Sequence, residues 1–270
     1  MKKVKNIYTK EHQLYLRKKR NHKTIVLTSQ LGLLVVFVAL WELLAQTGMI
    51  NSFITSSPSK ILNTVGQLFE SGDLFKHIGV TLYETLLGFI IASLLGTFIA
   101  ILLWWSEIIR KILEPYLVVL NSLPKIALGP LIIIWVGSGT SAIITICVLI
   151  CIVITIITML NAFLSCDNDK ILLMKSMGAN KFKILYKLVL PYSIPNFISM
   201  LKINVGMSWV GSIMGEYLSS SAGLGYLIVY GSQVFRLDLV MTSTVLLCML
   251  AGLMYFVVAL IEKYYYKKHR

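Results

Sequence analysis

Residues Thr140 to Leu164 read TSAIITICVLICIVITIITMLNAFL, an uninterrupted apolar span without a charged side chain. A helix needs roughly 20 mostly apolar residues to cross the hydrocarbon of a bilayer, and this stretch exceeds that length. Five others meet it, at about Thr24 to Gly48, His77 to Trp105, Ile112 to Gly137, Ser193 to Tyr217 and Leu239 to Ile261. A chain that is 57% hydrophobic and 14% charged cannot clothe its apolar content in a water-soluble surface. The expected fold is therefore all-α: a polytopic membrane protein with six transmembrane helices, an even number that returns the chain to its starting side. The run Ile25 to Leu44 is too long for a cleavable secretion signal and is expected to be retained. The expected organisation is a basic arm at 1–23, a first transmembrane helix with its outer loop at 24–76, a core of five further helices at 77–262 with a loop at 165–192, and a tail at 263–270.

A net charge of +13 would suit a nucleic-acid partner, but the positions of the basic residues argue for topology instead. Twenty of the 25 Lys and Arg lie on one side of this arrangement, in the arm, the turn at Arg110 and Lys111, the loop and the tail. Lys60, Lys76 and Arg236 lie on the other, and Lys125 and Lys202 fall within spans. That bias places arm, loop and tail in the cytoplasm by the positive-inside rule and removes the need for a nucleic acid. Trp41, Trp104, Trp105 and Tyr264 to Tyr266 stand near span ends, as interfacial aromatics do.

Soluble-phase chemistry finds no home here. Cys147 and Cys151 would share a helix face, but with no His or carboxylate nearby they read as packing rather than as metal ligands. No Ser, His and Asp arrangement suits nucleophilic catalysis, and no cofactor is implied. There is no G-x-x-x-x-G-K-[ST] loop to cradle ATP, so ATP-driven work would need a separate partner subunit. The chain is not expected to be an enzyme.

The informative loop is CDNDKILLMKSMGANKFKILYKLVLPYSIP, Cys166 to Pro195. Asp167, Asn168 and Asp169 can cap a helix reaching Met177, and Gly178 can supply the left-handed residue that ends it. Asn180 can cap a second helix, amphipathic through Phe182, Ile184, Leu185, Leu188 and Val189, with Pro191 and Pro195 expected to stop it before the next span. Such an elbow suits either anionic lipid or a groove in another protein.

Ionisable residues inside the membrane are functional candidates by default. Lys125 lies between Pro124 and Pro130, a pair expected to break or kink the third span. It reads as a pathway or gate residue, or as a structural charge paired with a carboxylate such as Glu84. Lys202 reads as a snorkelling or a substrate-facing lysine, and Glu216 as a docking or gating residue or a solvated span end. Gly211 and Gly215 give a small-residue face for close helix packing, and Asn161 and Asn204 are expected to bond between helices. The Gly- and Ser-rich stretch at 219–238 is expected to form a re-entrant or surface helix.

The spacing of Gly178 from Leu188, Val189, Leu190 and Pro191 resembles the E-A-A-x3-G-x9-I-x-L-P loop of permease subunits of bacterial ABC importers. TLYETLLGF (Thr81 to Phe89), LNSLPKIALGPLIIIWVGSG (Leu120 to Gly139) and GEYLSSSAGLGYLI (Gly215 to Ile228) are similar to stretches of the nitrate, sulfonate and taurine type permeases, a group that includes transporters of thiamine-precursor pyrimidines. Two departures stand out: Leu172, Leu173 and Met174 replace Glu, Ala, Ala, and Glu84 occupies a position where the family commonly has a basic residue.

The resemblance implies a type I importer permease fold in a bacterial cytoplasmic membrane. It implies a second permease copy, two ATP-binding cassette subunits and an extracytoplasmic substrate-binding protein as partners. It also implies that Lys170, Ile171, Met174, Met177, Gly178, Ala179, Leu188 and Pro191 form the ATPase-coupling loop. The implied cargo is a sulfonate, taurine or nitrate-like anion, or a thiamine-precursor pyrimidine. The rival readings are an ATP-independent secondary transporter or channel, which would show internal repeats with matching broken segments, and a membrane-embedded enzyme.

Overall fold

The computed structural model describes residues 10–51 and 53–268, and every regular element among them is helical. Two compact units comprise residues 1–63 and 64–270.

In the first unit, α1 (Lys10–Gln46) is one helix of 37 residues. From Lys10 the basic arm continues into the apolar run as one helix. No proline interrupts this sequence, and Gly32 is the one glycine in it. Lys2, Lys3 and Lys5 of the arm lie outside the described residues. Beyond Gly48, a carboxylate oxygen of Glu42 accepts from the Ser59 amide at 3.0 Å, closing the turn that leads into α2 (Pro58–Glu70).

The second unit is organised around α3 (Asp73–Trp105), α6 (Thr140–Leu164) and α9 (Leu190–Ser219), which share the most extensive interfaces. Small residues bring these backbones together. A Cβ at Gly88 of α3 would stand 2.3 Å from Cys147 Sγ, and one at Gly211 of α9 would stand 2.6 Å from Cys147 Cα. Gly96 meets Thr155 and Gly215 meets Ile143 in the same way. In lipid no hydrophobic force drives helices together, so close van der Waals packing and interhelical hydrogen bonds must do it. Thr85 and Ser212 share a hydrogen bond of 2.7 Å across α3 and α9. Asn204 donates to Ser93 at 3.0 Å and to Thr155 at 2.7 Å, tying all three helices at one level. Asn161, by contrast, is exposed at the end of α6 and takes no part in this network.

The third apolar stretch is not one straight span. The α4 helix (Glu107–Ser122) and the segment Lys125–Val136 meet at 86°. Leu123 is extended (φ −65°, ψ 136°), the conformation favoured before proline, and Pro124 follows. The break therefore sits at Pro124. Pro130 falls in the first turn of α5 (Gly129–Val136), where its missing N–H leaves no intrahelical bond unmade. Among the described residues α1, α3, α6, the continuous helix Lys181–Ser219 and the last helix α11 (Leu237–Lys268) are long and apolar enough to cross a membrane, and the bent pair taken as one span makes six.

The expected stop at Pro191 and Pro195 does not occur. A short helix, α8 (Lys181–Ile184), runs through a π turn at Leu185–Val189 directly into α9. In that turn the Leu190 amide bonds to the Leu185 carbonyl, five residues back. The π turn ends where α9 begins, so Pro191 falls in the first turn of α9, while Pro195 is accommodated within that helix. At the other end the tail does not separate from the last span, since α11 continues to Lys268; Arg270 lies outside the described residues.

Candidate functional site

At the Leu164 end of the bundle, α7 (Asn168–Ser176) and α8 form the elbow expected from the loop. Asp167 caps α7 by accepting from the Asp169 amide at 3.0 Å, and Asn180 caps α8 by accepting from the Lys183 amide at 2.9 Å. Between them Gly178 has φ +77°, with its amide on the Lys175 carbonyl and the Ala179 amide on the Met174 carbonyl, both at 2.9 Å. This is a Schellman closure. Ile171, Met174, Ala179 and Leu188 face inward against Ala100, Met159, Phe163 and Val189. Buried Cys166 belongs to the same cluster, and desolvation pushes its thiol above the ordinary range.

The loop residues divide accordingly. Ile171, Met174, Ala179 and Leu188 hold the elbow to the bundle, while Lys170 and Met177 are exposed; Met177 is 78% accessible. Leu172, Leu173 and Phe182 share that outward position. Lys181 gives the elbow a further anchor, which only the folded arrangement discloses. Its ammonium donates to the Trp105 carbonyl at the end of α3 and stands 5.7 Å over each of the Trp104 and Trp105 rings. The elbow is thereby fastened to α3 as well as to α6 and α9. Beside it, a groove of about 670 Å³ runs between Met159, Phe163, Leu190 and Phe197, with Tyr186 and Lys187 also in its wall.

The membrane-embedded candidates separate in the same manner. Lys125 opens the short 3-10 turn after Pro124, is half-buried, and lies near Cys151 of α6; it forms no ion pair with Glu84. Lys202 pairs with Glu262 of α11 at 2.5 Å, so it is tethered rather than free to snorkel.

Glu216 is not a solvated span end, since only 1% of it is accessible. It belongs to a cap on α10 (Leu224–Gln233), the helix formed by the stretch at 219–238. The first four amides around that helix start each find a side-chain acceptor. The Gly223 amide donates to His77 Nδ1 at 2.9 Å and the Leu224 amide to Thr81 Oγ1 at 2.8 Å. The Gly225 and Tyr226 amides donate to Glu216 Oε2 at 2.6 and 3.3 Å. These are the donors a helix cannot satisfy internally, and an acidic acceptor there also meets the positive end of the helix dipole. Gly223 has φ +123°, and a Cβ on it would stand 2.2 Å from Glu216 Oε2, so only glycine permits the approach.

Residues 88–270 match the family described as binding-protein-dependent transport system inner membrane component. A probable ABC transporter permease protein of Haemophilus influenzae is 30% identical over 222 residues, covering 82% of this chain and 89% of that one. A putative aliphatic sulfonates transport permease protein of Bacillus subtilis is 27% identical over 248 residues, covering 92% and 90%. Among solved structures, a bacterial ABC transporter involved in the import of the acidic polysaccharide alginate superposes with a TM-score of 0.62 at 14% identity. That superposition covers 93% of this chain and 98% of that one, and it shows a shared fold.

Proposed function

This chain belongs to the family of binding-protein-dependent transport system inner membrane components, and we propose that it drives import by handing the movement of an ATPase from its elbow to three membrane helices. It is the permease subunit of an ABC importer and is not itself catalytic. The observation that carries the coupling reading is the two-sidedness of the elbow. Its outer face offers Leu172, Leu173, Met177 and Phe182, while its inner face is packed onto the ends of α3, α6 and α9. An apolar helix projecting from the membrane suits a groove in a partner. Rigid-body motion of that partner on binding ATP would tilt the helices fixed behind the elbow and exchange outward for inward access. The bias comes from the different affinity of ATP for the two states of the ATPase.

In this reading the elbow and both termini face the cytoplasm, and an extracytoplasmic binding protein delivers cargo at the opposite end, near α10. Two copies close the pathway, as symmetric pairing usually does. The α4 helix supports this, because none of its sixteen residues is buried although Ile108, Ile112, Tyr116 and Val119 are apolar. The half-buried Lys125 at the break made by Pro124 is the pathway cation, and Pro130 sets the start of the helix that follows. Lys202 and Glu216, both held by partners, serve structure. A sulfonate-class anion is the cargo that the Bacillus relative and an unpaired pathway lysine favour together.

A cysteine at Ser176 tests partner and side at once. Ser176→Cys is expected to cross-link to the ATPase in a complex holding two copies of this chain by native mass. Ser138→Cys is expected to react in intact cells with an impermeant thiol reagent that leaves Ser176→Cys unlabelled. A complex with one permease chain, or outside labelling of Ser176→Cys, would contradict the arrangement.

A further inference from the structure

We propose that Glu84 and Glu216 together form a buried proton-binding site, in which Glu84 carries the proton and donates it in a hydrogen bond to ionised Glu216. Both side chains lie inside the α3, α6 and α9 bundle with 1% of each residue accessible. Glu84 has the Thr140 side chain and the Glu216 carboxyl as its polar neighbours, yet neither of its oxygens completes a hydrogen bond of full geometry, and Glu216 Oε1 is unpaired as well. Neither carboxyl takes part in an ion pair among the described residues.

Two ionised carboxylates placed side by side out of water repel one another, and among the described residues no cationic side chain pairs with either. One proton resolves both difficulties. It removes one negative charge, and it turns one oxygen from an acceptor into a donor, so an O–H bond from Glu84 to Glu216 Oε1 satisfies two of the three unpaired oxygens. The remaining Glu84 oxygen is then free to accept from the Thr140 hydroxyl. Buried polar groups are nearly always bonded, and this single addition brings the site into line.

The assignment of the proton follows from the donors. Glu216 Oε2 already accepts from the Gly225 and Tyr226 amides at the positive end of α10, which stabilises its charged form. Glu84 has no amide donor. The other titratable groups around the pair do not compete: His77 accepts from the Gly223 amide through Nδ1, and a protonated imidazole could not. Tyr217 is adjacent to Glu216 on α9, and Tyr226 stacks on His77 from α10. Glu84 thus completes the cap that holds α10 against α3, and it acts on α10 through Glu216.

The inference does not depend on the transport reading, and it is tested on the purified full chain in lipid. The infrared spectrum is expected to contain the carbonyl stretch of a protonated carboxylic acid that shifts on exchange into heavy water. The band should vanish in Glu84→Gln and persist in Glu70→Gln, an exposed control. Glu84→Gln, which keeps a neutral donor, should melt with the wild type, whereas Glu84→Ala should melt lower. The proposal is overturned by a wild-type spectrum without a protonated carboxyl, with sodium or potassium raising the melting temperature instead, since a metal ion would then neutralise the pair. A band that survives Glu84→Gln overturns it equally. The wild-type spectrum is decisive in the negative direction even where a variant fails to accumulate.

Discussion

Gly178→Val is expected to reduce uptake to background while the protein inserts and melts as the wild type does. Gly178 has φ +77°, and a Cβ placed on it would meet nothing within 4 Å. The substitution therefore causes no collision, and its whole effect is backbone strain, about 1 kcal/mol or more for a side chain in the left-handed region and greater for a β-branched one. Strain of that size is relieved by opening the Schellman closure between Met174 and Ala179, which re-aims α7 relative to α8. The bundle behind the elbow keeps its Gly88, Gly96 and Gly211 contacts, so folding survives. Met177→Leu, on the exposed face, should retain both ATPase binding and uptake, because an apolar side chain of similar volume can repack in a groove. Normal uptake by Gly178→Val would remove the elbow from the coupling route.

Gly211→Leu is expected to act in the opposite way, on the fold itself. A Cβ at this position stands 2.6 Å from Cys147 Cα and 3.4 Å from Cys147 N. Backbone atoms cannot swing aside as a flexible side chain can, so α6 and α9 must separate. Separation weakens the bonds from Asn204, about two helical turns away, to Ser93 and Thr155, and the bond between Thr85 and Ser212. Overpacking of a tight interior costs about 1–3 kcal/mol, and loss of the interhelical bonds adds to it. The variant should fail to accumulate, or should melt well below the wild type in detergent. Gly206→Ala, on the same helix but with nothing within 4 Å, is the control and should melt as the wild type does. A wild-type melting temperature for Gly211→Leu would mean that the three-helix core is looser than these distances require.

These two glycines also mark what the sequence discloses. Gly178 is readable because an Asp-rich cap precedes it, Asn180 follows it and a left-handed residue must join two short helices. Gly211 and Gly215 are readable as a packing face, though not which helix they meet. The apolar runs give the spans, and Pro124 gives the break, since proline disfavours the helical region for the residue before it and Leu123 there is extended. Residues 10–23 of the arm and 263–268 of the tail continue as helix because nothing in them interrupts one. The two faces of the elbow are hidden for a different reason: Ile171, Leu172, Leu173 and Met174 are all apolar, so no polar stripe tells the packed side from the presented one. Pro191 reads as a stop only if the preceding turn is a regular α-helix, and the π turn at Leu185–Val189 changes that premise. The roles of Lys202 and Glu216 depend on Glu262 and on the amides of Gly225 and Tyr226, partners that only folding brings near.

If this chain moves solute only when an ATPase moves its elbow, uptake into proteoliposomes measures that dependence directly. The purified chain, its ATPase and its binding protein are reconstituted together, and labelled cargo is followed with and without ATP on the elbow side. Uptake is expected to require ATP and the ATPase, and to be lost when Gly178→Val replaces the wild type. Uptake by the chain alone, driven by a solute or ion gradient without ATP, would contradict it and favour a secondary transporter.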